Sequence, residues 1–285
     1  MEKQINVAAI VDKLPDADRP GTASKFTGPA PDEAKKLVDS VLSGGREAIL
    51  ELAEMIRDAN GKGEKNFKPG YLLHAVALRV GDKGRDKEKV VFTQALASLL
   101  GGDNPPPGAQ EYILRELQCA GGPEVVRTLG GLLEKPGIWE HALSALVAIK
   151  EGAGEPLRKA LSGAKGRRRL AIIQALGSLR DTASTAALAA ATEDKDENIR
   201  LAASLALAQI ATPACVQPVV QVAVKAKSWG KIKANKAGLL LAENLAASAS
   251  KDEARETCNL LINANQEDDD ESYIREAAER IISGL

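Results

Sequence analysis

Two basic clusters carry the clearest chemical potential in this chain. Lys165 and Arg167-Arg168-Arg169 lie close together, and Lys225, Lys227, Lys231, Lys233 and Lys236 form a second group interrupted by Trp229. Cations at this density suit phosphates or carboxylate-rich peptides, and an indole among lysines suits base stacking or an apolar anchor. Single-strand binding needs a run of stacking rings. With three Tyr and three Phe in the whole chain, that run is missing and nucleic acid is disfavoured.

Catalytic spacings are absent. Gly61-Lys62-Gly63-Glu64-Lys65 lacks the earlier glycine and the following Ser or Thr of a phosphate-binding loop, so it reads as a basic loop. No Gly-x-Ser-x-Gly occurs. Cys119, Cys215 and Cys258 are too far apart to form a zinc or redox motif, and they read as buried thiols. His74 and His141 each lack a second ligand at helical spacing, so no metal is expected, and no cofactor either. The carboxylates Glu267-Asp268-Asp269-Asp270-Glu271 lack the glycine of a calcium loop and read as a solvated acidic turn.

The elements that would hold these clusters are helices. Hydrophobic residues make up 44% of the chain but aromatics only 3%, a balance that favours closely approached helices over strands. In Glu193–Ile210 the apolar positions Ile199, Ala203, Ala206, Leu207 and Ile210 form the stripe of a helix facing a core. The same pattern recurs upstream from Arg168 and from Ile138, so equivalent positions are 31 and then 30 residues apart. A fixed period near thirty residues means stacked helical hairpins.

Residues 1–30 read as an extended or disordered N-terminal arm, because Pro15, Pro20, Gly21 and Gly28 break a scattered apolar pattern. The apolar run Ile5–Val11 is too short for a membrane span or a signal peptide. A cytoplasmic location is therefore the default, and export follows only if a leader has been removed. Pro31-Asp32-Glu33 opens the first helix, with carboxylates placed to complement the helix dipole. Helices follow from Arg46, Tyr71, Lys87 and Ala109, with a proline-rich spur over 101–108, and regular pairs continue from Pro123. Thr212-Pro213 supplies an N-cap hydroxyl and a first-turn proline, and a polar last helix with Glu276, Glu279 and Arg280 suits the end of a stack.

Net charge is −1 and pI about 6.2, which gives no global pull toward nucleic acid or a membrane. Charge is nonetheless polarised. Residues 151–236 hold fourteen Lys/Arg against seven Asp/Glu, and residues 237–285 hold four against eleven, so the positive part of one copy could meet the negative end of another. Oligomeric state stays open.

Ile199-Arg200, Ala203-Ser204, Ala206-Leu207-Ala208 and Ile210 resemble the second helix of a HEAT repeat in its short bacterial form. Arg168–Leu179 is similar, with Ile172-Ile173 and Ala175-Leu176-Gly177 in register. Weaker copies extend the resemblance from about residue 45 to the end. It implies an all-α fold, a right-handed superhelical α-solenoid of about seven HEAT-like hairpins, with 31–285 as the solenoid. It also implies a ladder in which an Asp between the helices pairs with the Arg six residues later, a pattern matched by Asp194 and Arg200. The ladder breaks elsewhere, since Gly163 precedes Arg169 and Leu133 precedes Trp139, which stands where the repeat arginine usually does.

The family's second helices line a concave binding groove. The resemblance therefore implies a non-enzymatic scaffold whose partner is another protein or a neighbouring domain of a larger chain. Candidate contacts are Trp139, Arg168, Arg169, Trp229, Lys233 and Lys236. Ser228-Trp229-Gly230-Lys231 also resembles repeats attached to large bacterial multidomain proteins. The alternative is a nucleic-acid-binding HEAT-like protein or processing enzyme that uses 165–169 and 225–236.

Overall fold

The computed structural model describes residues 5–16, 28–56, 67–100, 107–266 and 271–285. Their regular structure is helical, and no strand occurs among them. The chain divides into two compact units between Pro156 and Leu157.

The first unit holds α1 (Val7–Val11), α2 (Pro31–Ser43), α3 (Gly45–Met55), α4 (Phe67–Val80), α5 (Asp86–Leu99), α6 (Pro107–Ala120), α7 (Val126–Leu132) and α8 (Trp139–Ile149). Pro31 does begin α2, with Asp32 and Glu33 in its first turn. The helices sort into two layers. In layer A, α3 packs on α5, and α5 packs on the short 3-10 turn Pro123–Val125 that leads into α7; in layer B, α2, α4, α6 and α8 pack successively. Leu52, Leu72, Val76, Phe92, Leu96, Leu114 and Leu117 are buried in this unit, with Phe92 among its largest fully buried side chains.

Part of the 1–30 segment departs from the expected extended or disordered arm. Asn6 caps α1 by accepting the Ala9 N–H at 2.9 Å. Val7, Ile10, Val11 and Leu14 are buried, and α1 packs on α2, α3 and α4. Their spacing of three, one and three is that of one helix face, and covering the apolar flank at the start of a stack outweighs the cost of ordering a single turn. Residues 17–27 lie outside the described residues.

Helix α9 (Gly154–Gly163) crosses the division. The second unit continues with α10 (Gly166–Ser178), α11 (Thr185–Ala191), α12 (Glu197–Ile210), α13 (Val216–Lys225), α14 (Ser228–Ala246), α15 (Lys251–Ala264) and α16 (Ser272–Ser283). Here α10, α12, α14 and α16 pack in sequence as layer B, while α13 and α15 pack together in layer A. Within the first unit α3 to α8 alternate between the two layers, and within the second α12 to α16 do the same. Close approach is built in at Gly177: a Cβ there would lie 2.6 Å from the Ala206 Cα, so α10 and α12 meet at a distance only glycine allows.

The repeat is also written in the backbone. Lys150, Arg180 and Ala211, which follow α8, α10 and α12, take left-handed φ values of 66°, 51° and 53°, at the same 30- and 31-residue intervals as the apolar pattern. Ala211 caps α12 in this conformation through its N–H to the Leu207 carbonyl. One expected cap is different. Thr212 makes no side-chain cap hydrogen bond; its hydroxyl lies 3.2 Å from the Cys215 Sγ.

Candidate partner-binding face

In the second unit the period lines up equivalent residues on successive B helices. Arg167, Asn198 and Trp229 are one set 31 residues apart, and Gln174, Leu205 and Lys236 are another; all six are exposed. Leu170, Leu201 and Ile232, also 31 apart, are half-buried between them and the core. The B layer of this unit thus presents a ridge of apolar, cationic and amide side chains across α10, α12 and α14. Trp229 is 68% exposed and Leu205 43%. The Lys233 Nζ stands 5.8 Å from the centre of the Trp229 ring, a cation–π contact that holds both side chains at the surface.

The six candidate contacts separate. Arg168, Trp229, Lys233 and Lys236 share the B layer of the second unit, with Lys233 and Lys236 exposed and Arg168 half-buried and engaged in contacts of its own. Trp139 opens α8 in the first unit, half-buried. Arg169 is turned to a structural task. Its Nε lies 3.3 Å from the Asp194 carboxylate, in the loop that enters α12.

This alters the expected ladder. The Asp194 carboxylate does not take the Arg200 side chain. Arg200 donates through Nη1 to the backbone carbonyls of Asp194 at 2.9 Å and of Lys195 at 3.1 Å. Asp194 Oδ1 accepts the Asp196 N–H at 3.0 Å, and its Oδ2 faces Arg169 of the preceding hairpin. Arg200 therefore braces its own loop, and the carboxylate links neighbouring hairpins. At the place one period after Asp194 stands Lys225, which pairs with Glu193 at 2.9 Å, so the next link between hairpins has its charges reversed.

Two buried polar groups were not singled out from the sequence. Glu116 on α6 is 1% exposed and meets the Nδ1 of half-exposed His74 on α4 at 2.9 Å. Burial pushes the Glu116 carboxyl above its ordinary range, against the opposing pull of His74. Burial, with the Glu116 charge second, also raises the Tyr112 phenol. In the second unit Asn235 and Asn265 exchange side-chain hydrogen bonds at 3.1 and 3.3 Å, and Asn235 also donates to the buried Glu271 at 3.2 Å. A signal for both existed in the helix pattern. Ala109, Ile113, Glu116 and Ala120 fall on one stripe, as do Asn235, Gly238, Leu241 and Leu245, so each polar residue interrupts an apolar face.

Burial pushes the Cys258 thiol up to about 11, and partial desolvation, with the Glu116 charge second, raises Cys119. Cys119 is exposed rather than buried as expected, whereas Cys215 and Cys258 are buried. Among the described residues no group of three or more His, Cys, Asp or Glu could hold a metal, and no helix is long and apolar enough to cross a membrane. The basic loop 61–65, most of the proline spur and the acidic residues 267–270 lie outside the described residues.

The fold defines an all-α protein of stacked helical hairpins. The model of the family of HEAT repeats matches residues 154–237, the stretch that holds the regular ridge. HEAT repeats form helical scaffolds that usually mediate protein interactions. No curated protein matches the sequence. Similar solved structures include an engineered protein, 16% identical over 97% of this chain and 77% of that one with a TM-score of 0.42. Another is the complex of CpcE and CpcF of phycocyanin lyase from Nostoc sp. PCC7120, 18% identical over 84% of this chain and 94% of that one with a TM-score of 0.39.

Proposed function

We propose that this chain is a non-enzymatic scaffold that binds a partner protein, or a neighbouring domain of a larger chain, through the B-helix face of its second unit. The observation that carries the reading is Trp229, a large indole 68% exposed on a helix whose neighbour presents Leu205 on the same layer. An exposed Trp with lysine over its ring, on a helix layer that also exposes a leucine, has the composition of an interface centre with its rim.

The test is affinity capture with the full chain in two forms, wild type and a variant with Trp229, Lys233 and Lys236 replaced by Ala, Glu and Glu. These side chains are exposed, so the variant is expected to melt close to wild type. A protein retained by wild type and lost by the variant supports the reading. Equal retention by both, or capture of DNA or RNA in its place, overturns it.

A further inference from the structure

A small cleft opens in the second unit at the loop ends of its hairpins. Its apolar lining is Leu201, Val222 and Ala226, and its charged lining is Arg200, Lys225 and Glu197. Gly230 packs directly on Glu197, and a Cβ at Gly230 would reach within 3.9 Å of Leu201. Trp229 is therefore one residue from the cleft wall, with Lys233 over its ring and Lys236 one turn further along α14.

Charge around this cleft is unbalanced. Lys225 is paired with Glu193. Arg200 is held by backbone carbonyls, which orient the guanidinium without neutralising it. Among the described residues no carboxylate stands within ion-pair distance of Lys233 or Lys236. Against Arg200, Lys233 and Lys236 stand Glu197 and, at the N-cap of α12, Asp196, so the surface keeps a positive surplus, in keeping with the excess of Lys/Arg over residues 151–236.

Resting on the protein-binding reading above, we propose that this cleft and the adjoining Trp229–Lys233–Lys236 surface bind an acidic segment of a partner protein. One aliphatic side chain of that segment seats on Leu201, Val222 and Ala226. Carboxylates on either side of it meet Arg200, Lys233 and Lys236. A polynucleotide fits less well, because its phosphates would pass Glu197 and its bases would find one indole and an aliphatic floor. A peptide can place an uncharged residue opposite Glu197 and keep its acids over the cations.

The experiment is selection from a phage-displayed library of random dodecapeptides on the full chain, with depletion on the K233E/K236E variant. Recovered sequences are synthesised and their Kd measured by fluorescence anisotropy. The expected winners carry several Asp or Glu around a Leu, Ile or Val. They bind K233E/K236E about tenfold or more weakly, lose about tenfold in affinity between roughly 0.05 and 0.3 M NaCl, and bind E197Q more tightly. If K233E/K236E melts early, K233Q/K236Q serves instead, with a flatter salt dependence expected. Neutral or basic winners that still require Trp229 overturn the acidic-partner inference and leave the B-face reading standing. Winners indifferent to Trp229, Lys233 and Lys236, or an oligothymidylate that binds this surface more tightly than the peptides, overturn both.

Discussion

Asp194 faces Arg169 across two hairpins, 3.3 Å from carboxylate to Nε, while Arg200 of its own hairpin takes its backbone carbonyl at 2.9 Å. The distance to Arg169 is that of an ion pair, and the buried Nε makes no hydrogen bond. Asp194→Ala should therefore cost about 1–3 kcal/mol, because it removes the Asp196 N–H acceptor and leaves a partly buried guanidinium without its anion. A double-mutant cycle in urea should give Asp194 and Arg169 a coupling of about 1 kcal/mol and Asp194 and Arg200 nearly none. The reverse order would restore the within-hairpin ladder.

Helix contact at Gly177 makes a steric prediction. Valine there would drive a Cβ into the Ala206 Cα, 2.6 Å away, and should destabilise by about 1–3 kcal/mol. Gly131 in α7 has open space around its Cβ position, so Gly131→Ala should be neutral or stabilise by about 0.5–1 kcal/mol. Urea midpoints compare the two directly, and equal effects would contradict the close approach of α10 and α12.

The left-handed residue at the end of α12 points the opposite way. Ala211 holds φ at 53°, a conformation glycine adopts without strain. Ala211→Gly should stabilise by about 0.5–1 kcal/mol, a gain readable as a higher melting temperature.

Much of this architecture is legible in the amino-acid order. The Ile199–Ile210 stripe and its copies place the B helices, and the same interval reappears in Lys150, Arg180 and Ala211. What was not legible follows from three-dimensional pairing. Asp194 and Arg200 lie six residues apart, and only the stack reveals that the carboxylate reaches back to Arg169. The residues before α2 look irregular because their breakers follow the short helix that Val7, Ile10, Val11 and Leu14 bury. At the candidate face, Trp229, Lys233 and Lys236 could be picked by type. The cleft beside them could not, since Leu201, Val222 and Arg200 come from two helices and read singly as a core stripe and a ladder residue.

Glu116 makes stability depend on pH. Its folded carboxyl is raised, chiefly by burial, so below the unfolded value it is neutral in both states and carries no penalty. As pH rises through the folded value that advantage is lost. Glu116→Gln, fixed in the neutral form, should therefore melt near wild type at about pH 4 and progressively above it toward pH 7. A variant that melts below wild type at pH 7 and matches it at pH 4 would mean that the His74 contact outweighs desolvation.

A partner docked on the B layer of the second unit is tested most directly by photo-cross-linking, with benzoylphenylalanine placed at Leu205 on α12 or at Asn259 on α15, both exposed in wild type, and a selected peptide as ligand. Adducts at position 205 and none at 259 are predicted. Adducts at 259 with none at 205 would contradict docking on the B layer.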